Sequence, residues 1–553
     1  MRKDRPRDLS AAELGFRRQR PVPWLNPGLL VRTGVRVGLA YALGSYLDKR
    51  ELQAALPDDT FDHTGPGELW LDFTADGGDG FDATYSVAYL MAQPELAVDG
   101  ADGTLPRGDL LVLGGDQVYP AASAKAYNER WKGPYRAARP VPDGRPTTVY
   151  ALPGNHDWYD GLTSFLRVFA QQDPCGGWQT AQHRSYFALE LPHRWWVFAM
   201  DIQLESYIDE PQLEYFAAAA ERLEPGDRVI LATARPAWVL ADDEPDAYDN
   251  VDYFVRKIIM PTGARVPLLL AGDKHHYSRY AGPGPDGQGR QLITCGGAGA
   301  FASSTAHLPD RITVPPPATV VRQASESLDY ELQQPTYPPQ ATSRRQAWRI
   351  FDRLPLLHRG FPLLVGFMQT LLMLALMTAD GRWFNAPIGL AVAAVLAGTY
   401  LFAVAMGRQG VRYRVAGVLH AVPHLALGIA GAAVWSALPF VDAPPPWGTA
   451  LAFVIYLPVV GIIDTWLVAA YLLVASRFGV NNTELAAGLC IDDYKCFLRM
   501  RLGADGAVTV YPVGIRRVGR RWRANPDAPD AAPWIVPEDP LTAELIEPPI
   551  TVR

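Results

Sequence analysis

Aspartate, asparagine and histidine side chains that could share a metal ion recur in four short segments of this chain, each directly after an apolar run. Asp76-Gly77-Gly78 follows WLDFTA, and Gly115-Asp116-Gln117-Val118-Tyr119 follows LLVLG. Gly154-Asn155-His156-Asp157 follows VYALP, and Gly272-Asp273-Lys274-His275-His276 follows PLLLA. Carboxylate and amide oxygens together with imidazole nitrogens suit cations such as Fe, Mn or Zn. A lone GD or GNHD fixes few residues and carries little; four such segments in series, each closing an apolar run, form a specific pattern.

The elements that must position these residues are legible in the same region. From Leu69 to Tyr280 compact apolar strands (LWLDFTAD, DLLVLGGD, TVYALPGN, WWVFAMD, RVILATA, PLLLAGD) alternate with helix-like stretches such as YSVAYLMAQPEL and EPQLEYFAAAAERL. The alternation predicts an α/β layered fold with polar groups gathered at the carboxyl ends of the strands, where metal and phosphate sites collect. The glycines of ITCGGAGAFASSTAHLP, just after the last motif, predict a close backbone approach to that site. Ser303, Ser304 and His307 within it could face a ligand, but a structural turn is the plainer reading. Asp79 and Asp82 read as turn or cap residues, and His183 and His193 as surface or strand-pair residues.

The net charge of −7 over 553 residues contains no large basic block, so no nucleic-acid partner is expected. Cys175, Cys295, Cys490 and Cys496 show no CxxC spacing, which fits unpaired thiols in a reducing compartment. Residues 1–65 form a basic and helical segment without the apolar core of a signal peptide. Its helix, beginning near Leu29, carries Arg32 and Arg36 one turn apart, which argues against a span; it could lie on a membrane surface, but docking on the soluble part is the plainer reading. Residues 66–306 hold the motifs, and 307–360 read as a Pro-rich and basic connector of extended conformation. Residues 361–478 contain four apolar spans: Pro362 to Thr378, Ala386 to Met406, Val415 to Val441 and Gly448 to Phe478. Basic residues crowd the approach to the first span (Arg344, Arg345, Arg349, Arg353, Arg359), the second connector (Arg408, Arg412, Arg414) and the exit (Arg477, Lys495, Arg499, Arg501), whereas the first connector has only Arg382 and the third has none. This bias predicts a multi-pass protein with both termini and the motif-bearing half in the cytoplasm. His420, His424 and Asp464 lie at similar depth and read as a buried His–Asp pair, a hydrogen bond inside the bundle without a transport role. Residues 479–553 read as a small antiparallel β-unit turning at GADG, with a poorly ordered tail.

Taken together, the four motifs resemble the calcineurin-like metallophosphoesterase superfamily, in the purple-acid-phosphatase variant that reads DxG, GDxxY, GNHD and GDxHH. The resemblance implies a layered metallophosphoesterase β-sandwich flanked by helices, here with an α-helical transmembrane bundle and a small C-terminal β-unit. It implies a membrane-anchored enzyme that hydrolyses a phosphate mono- or diester by metal-activated water, with two divalent or mixed-valence ions (Fe, Mn or Zn) ~3.5–4 Å apart. In that family Asp116 would bridge the ions, and Asp76 and His275 would bind the first; His276 could replace His275, but the family spacing favours His275. Tyr119 would bind as a phenolate in place of the missing DxH histidine, or simply pack under the loop before Pro120. Asn155 would bind the second ion through its amide oxygen, joined by Asp273, which stands where the first histidine of GHxH is usual. His156 would act as general acid for the leaving alkoxide or orient the phosphate. The membrane raises the prospect of a lipid-derived substrate. The chain departs from the family at Ala234, within RVILATARPAW, where a metal-binding histidine is expected. A second site that is weak or empty follows, and with it an alternative: a degenerate, non-catalytic membrane protein serving as phosphate-ligand sensor or scaffold.

Overall fold

The structure, a computed structural model, describes residues 5–43, 49–65, 67–144, 147–202, 207–241, 244–317, 324–377, 386–404, 410–439, 443–444 and 446–553. The chain forms two compact units. A head gathers Met1–Val22, Thr33–Gln340 and Ile491–Arg553, and a bundle gathers Pro23–Arg32 and Ala341–Cys490.

The head is mixed α/β with two large sheets. Strands β1 (Leu69–Thr74), β2 (Leu110–Gly114), β3 (Thr147–Leu152) and β4 (Trp178–Thr180) run parallel to one another in one sheet. The second sheet holds β5 (Phe187–Leu191), β6 (Trp195–Met200), β7 (Arg228–Thr233), β8 (Arg265–Ala271), β9 (Tyr277–Pro283) and β10 (Gly289–Cys295), with β6, β7, β8 and β10 parallel. The chain then leaves for the bundle. It returns as β11 (Lys495–Leu502), antiparallel to β1, and β12 (Val508–Ile515), antiparallel to β11.

These strands are apolar throughout rather than alternating because both faces of each sheet are covered. Along β2, Val112 points to a core shared by the two sheets, while Leu111 and Leu113 point the other way, against helix α1 (Phe81–Met91). Along β8, Leu268 and Leu270 face the shared core, and Leu269 faces helix α2 (Glu210–Ala220). The period-2 geometry of a strand divides one apolar run between two cores in this way. The result is helix, sheet, sheet, helix.

Three segments depart from the sequence-based expectation. The C-terminal strands are not a unit of their own: β11 lies beside β1 at the centre of the first sheet, with Met500 opposite Leu71. Arg499 fixes that register. Its guanidinium donates to both oxygens of Asp72 at 2.8 Å, and to the carbonyls of Leu105 and Met91. The Pro-rich connector likewise supplies two strands, Arg311–Val314 and Leu328–Leu332, to the edge of the second sheet. In the N-terminal helix, Pro27–Leu43, the side chains of Leu30, Val31 and Val35 are exposed rather than docked.

In the bundle, helices α3 (Gly360–Met377), α4 (Ala386–Ala403), α5 (Val411–Ser436) and α6 (Trp447–Phe478) are long and apolar enough to cross a membrane. The shortest, at 18 residues, spans ~27 Å. Arg382 and Arg408, with Thr378, Met406 and Val441 at expected span ends, lie outside the described residues. Close approaches at glycine knit the helices: a Cβ on Gly366 would meet the Leu457 carbonyl and Gly461, and one on Gly428 would meet Leu372.

Candidate metal centre

Parallel strands deliver their following loops to one end of a sheet. Asp76, Asp116 and Gly154 stand just past β1, β2 and β3, and Ala234 and Asp273 just past β7 and β8. The loops are stitched together by main-chain bonds, Asp76 N–H to the Gly115 carbonyl and Gly272 N–H to the Ala234 carbonyl. Asp76, Asp116 and Asp273 all take left-handed backbone conformations (φ 62°, 52° and 64°). A non-glycine residue there is strained, and such residues concentrate at functional sites.

Three of the expected ligands meet on one atom. The Tyr119 hydroxyl lies 3.1 Å from Asp116 Oδ2, 3.1 Å from His275 Nε2 and 3.4 Å from Asp76 Oδ1. Asp116 Oδ1 accepts the His156 main-chain N–H at 2.9 Å, and Asp76 Oδ1 accepts that of Asp273 at 3.1 Å. A phenol has a single proton to give, so it cannot satisfy both carboxylates. Neither carboxylate forms an ion pair among the described residues, and Asp76 Oδ2 and His275 Nδ1 are buried without a hydrogen-bond partner.

Electrostatics restate the same deficit. Burial, then the charges of Asp116 and Asp273, push Asp76 well above the usual carboxylate range, and burial with Asp273 raises Asp116 to about 7. Burial also lowers His275 to about 3, leaving a neutral ring with a lone pair to give. The Tyr119 phenol is held protonated by burial and by the three surrounding carboxylates. Only a strong positive charge nearby would release it as phenolate.

The donor chemistry therefore fits a cation. Ligands ~2.1 Å from a common ion stand roughly 3.0–3.4 Å apart, the spacing found around Tyr119. Among the described residues no three His, Cys, Asp or Glu side chains are placed to hold a metal ion by themselves, so the fit depends on counting the Tyr119 phenol oxygen.

The second set of expected ligands is less gathered. Asn155 donates its Nδ2 to the Tyr159 hydroxyl at 2.8 Å, which leaves the amide oxygen as the end not used in that bond. Asp273 pairs with Lys274 at 3.0 Å; burial alone would raise its carboxyl, but Lys274 and Arg235 together bring it down to about 2. Ala234 is buried beside the site, close enough that a Cβ on Gly115 would stand 2.9 Å from its methyl. His156 bonds through Nδ1 to the Pro120 carbonyl at 2.8 Å, so the proton sits on Nδ1 and Nε2 carries the lone pair; burial lowers the ring to about 4. His276 faces Ser278, and Asp79 and Asp82 serve Val22 and Trp522.

No protein-family model matches the chain, and no curated protein matches it. Among solved structures, a structure of PhoD superposes with a TM-score of 0.29 at 11% identity, over 50% of this chain and 73% of that one. A superposition that loose carries no argument about fold or chemistry.

Sequence reasoning passed over Asp157. Its carboxylate accepts the main-chain N–H groups of Gly154 (2.9 Å) and Gln117 (3.2 Å) and the Tyr127 hydroxyl, clamping the second and third loops together. Burial and the neighbouring Asp116 raise it to about 8. Its place as the last residue of GNHD was the available signal.

The glycine-rich loop does press on the site. A Cβ on Gly296 would stand 2.0 Å from Asp76 Oδ2 and 2.9 Å from the His275 nitrogen, whereas one on Gly289 would meet nothing within 4 Å. Gly296→Ala should therefore lower the thermal midpoint and metal retention, at a cost of about 1–3 kcal/mol for overpacking. Gly289→Ala should leave metal retention intact. Equal metal content in the two purified variants would contradict this packing.

Proposed function

We propose that this chain is a membrane-anchored, metal-dependent phosphoesterase of the calcineurin-like metallophosphoesterase kind, acting on a phosphate mono- or diester. The observation that carries the reading is the meeting of Asp76, Asp116 and His275 on the Tyr119 hydroxyl, with buried carboxylates that lack a counter-charge. Asp76, Asp116, Tyr119 and His275 would hold one ion, and Asp116 with Asn155 and Asp273 a second. Bound there, Fe, Mn or Zn would supply Lewis acidity and an activated water for attack at phosphorus.

The chain's own residues do the rest. Asp116 is oriented by the His156 main-chain N–H, and Asp157 holds both flanking loops. His156 presents Nε2 as an acceptor for a phosphate hydroxyl. Protonated beside an anionic ester, the same nitrogen gives its proton to the departing alkoxide. The arginines at one end of the apolar helices favour a cytoplasmic head, and the anchor would bring lipid-derived phosphoesters within reach by proximity alone.

Purified full-length protein should retain a transition metal, hydrolyse a generic aryl phosphate, and lose turnover on chelation and regain it on adding Mn, Fe or Zn. A second reading rests on Ala234, which stands where the family resemblance expects a metal-binding histidine. If metal-replete protein is inert toward mono- and diesters and Ala234→His creates turnover, the chain is a degenerate binder and the enzyme reading fails.

A further inference from the structure

The apolar bundle holds a polar cluster at its middle. Gln369 on α3, His424 on α5 and Asp464 on α6 each lie within two residues of the midpoint of their helices, and all are buried. His424 Nδ1 is 2.6 Å from Asp464 Oδ1, and Gln369 Nε2 donates to the same oxygen at 3.1 Å and to the His424 carbonyl at 3.0 Å. A carboxylate facing Nδ1 places the ring proton there and leaves Nε2 with the lone pair. His424 Nε2, both ring nitrogens of His420 and Gln369 Oε1 are buried without a hydrogen-bond partner among the described residues. A polar atom held in apolar surroundings without a partner is costly, so these atoms mark the cluster as more than helix-to-helix hydrogen bonding.

Toward the arginine-bearing end the cluster continues in stacked rings, and toward the other end it has Tyr456, whose hydroxyl is buried without a hydrogen-bond partner among the described residues. His420, one turn before His424 on the same face of α5, has its ring 4.7 Å from that of His424 and stacks on Tyr471 at 3.6 Å. The Tyr471 hydroxyl donates to Asn481 Oδ1 at 2.8 Å, just beyond the end of α6. That end carries Arg412 and Arg414 at the start of α5 and Arg477 at the finish of α6. The titratable groups facing the His–Asp pair are His420, Tyr456 and Tyr471, with Glu484 beyond Tyr471.

We propose that the bundle is a proton-binding element: the His424–Asp464 pair takes up one proton at mid-membrane depth, delivered from the arginine-bearing end past Tyr471 and His420. The step balances as a relay. A proton from water reaches His424 Nε2 by way of His420, the imidazolium releases its Nδ1 proton to Asp464, and the pair ends as a neutral carboxylic acid beside a neutral ring protonated on Nε2. One proton is gained and no co-reactant is needed.

The test uses the full-length protein in lipid bilayers with isotopically labelled histidine, following ring-nitrogen signals and the carboxylic-acid stretch against pH. At high pH His424 should be the Nδ1-protonated tautomer. Acidification should change its ring signals together with the appearance of a carboxylic-acid band that Asp464→Asn removes. His420→Phe should slow protonation after a pH jump by about a hundredfold, the typical worth of a positioned proton carrier. A wild-type His424 ring whose signals stay fixed across the same pH range, while other ring signals in the sample move, would overturn the proposal, independently of whether any variant folds. So would a ring tautomer and titration unaltered in Asp464→Asn, or rings that hold a metal ion in the purified protein.

Discussion

Asp116→Ala is expected to remove aryl-phosphate turnover and to strip bound metal, lowering affinity by well over the roughly 10–100-fold typical of losing an outer-shell partner. Asp116 stands at the centre of the proposed site. One carboxylate oxygen touches the Tyr119 hydroxyl, and the other takes the His156 N–H. Gly154 is a glycine for the same reason, since a Cβ there would stand 2.0 Å from Asp116 Oδ1. Asn is the informative companion, because it also tolerates the left-handed backbone at φ 52°. Asp116→Asn keeps the shape and deletes the charge, so it should fold like the parent and still lose metal. Turnover and metal content near parental values in either variant would remove Asp116 from the chemistry.

Arg499→Ala should destabilise the head, although its side chain bonds none of the candidate ligands. The Arg499–Asp72 pair is almost wholly shielded from solvent, and the guanidinium also serves two main-chain carbonyls. Deleting one partner leaves an uncompensated buried charge, which costs about 3–5 kcal/mol. Exchanging both residues for apolar ones of similar size, Arg499→Met with Asp72→Leu, should recover much of that loss. A chemical-denaturation midpoint unchanged by Arg499→Ala would show that the pair does not hold β11 in register.

The sequence displayed most of what local chemistry controls. Apolar runs ending in acidic or glycine residues marked β1, β2, β3 and β8 and the loops after them, and the glycines after β10 announced a close approach that Gly296 makes against Asp76. The four apolar helices stand where their composition put them, with ends shifted by a few residues. What stayed hidden depends on pairing between distant segments. Nothing local in KCFLRMRL says that it will lie beside LWLDFT more than four hundred residues earlier, because that choice is made by Arg499 meeting Asp72. Side-chain direction was equally out of reach: Asn155 turns its amide nitrogen to Tyr159, and Asp157 reaches back to two loops.

Because β1 precedes the bundle and β11 follows it, the ribosome must finish all four apolar helices before the first sheet can close. Until then β1 has an open hydrogen-bonding edge, a template for pairing with other chains. The returning strand also does local work: Cys496 N–H bonds the Gly297 carbonyl and Lys495 Nζ bonds the Ala300 carbonyl, fastening the loop that backs Asp76. A chain stalled before β11 would thus lack the strand that fastens this loop. Completion of the first sheet, and of the support behind Asp76, is therefore postponed until the last strands of the chain have been made.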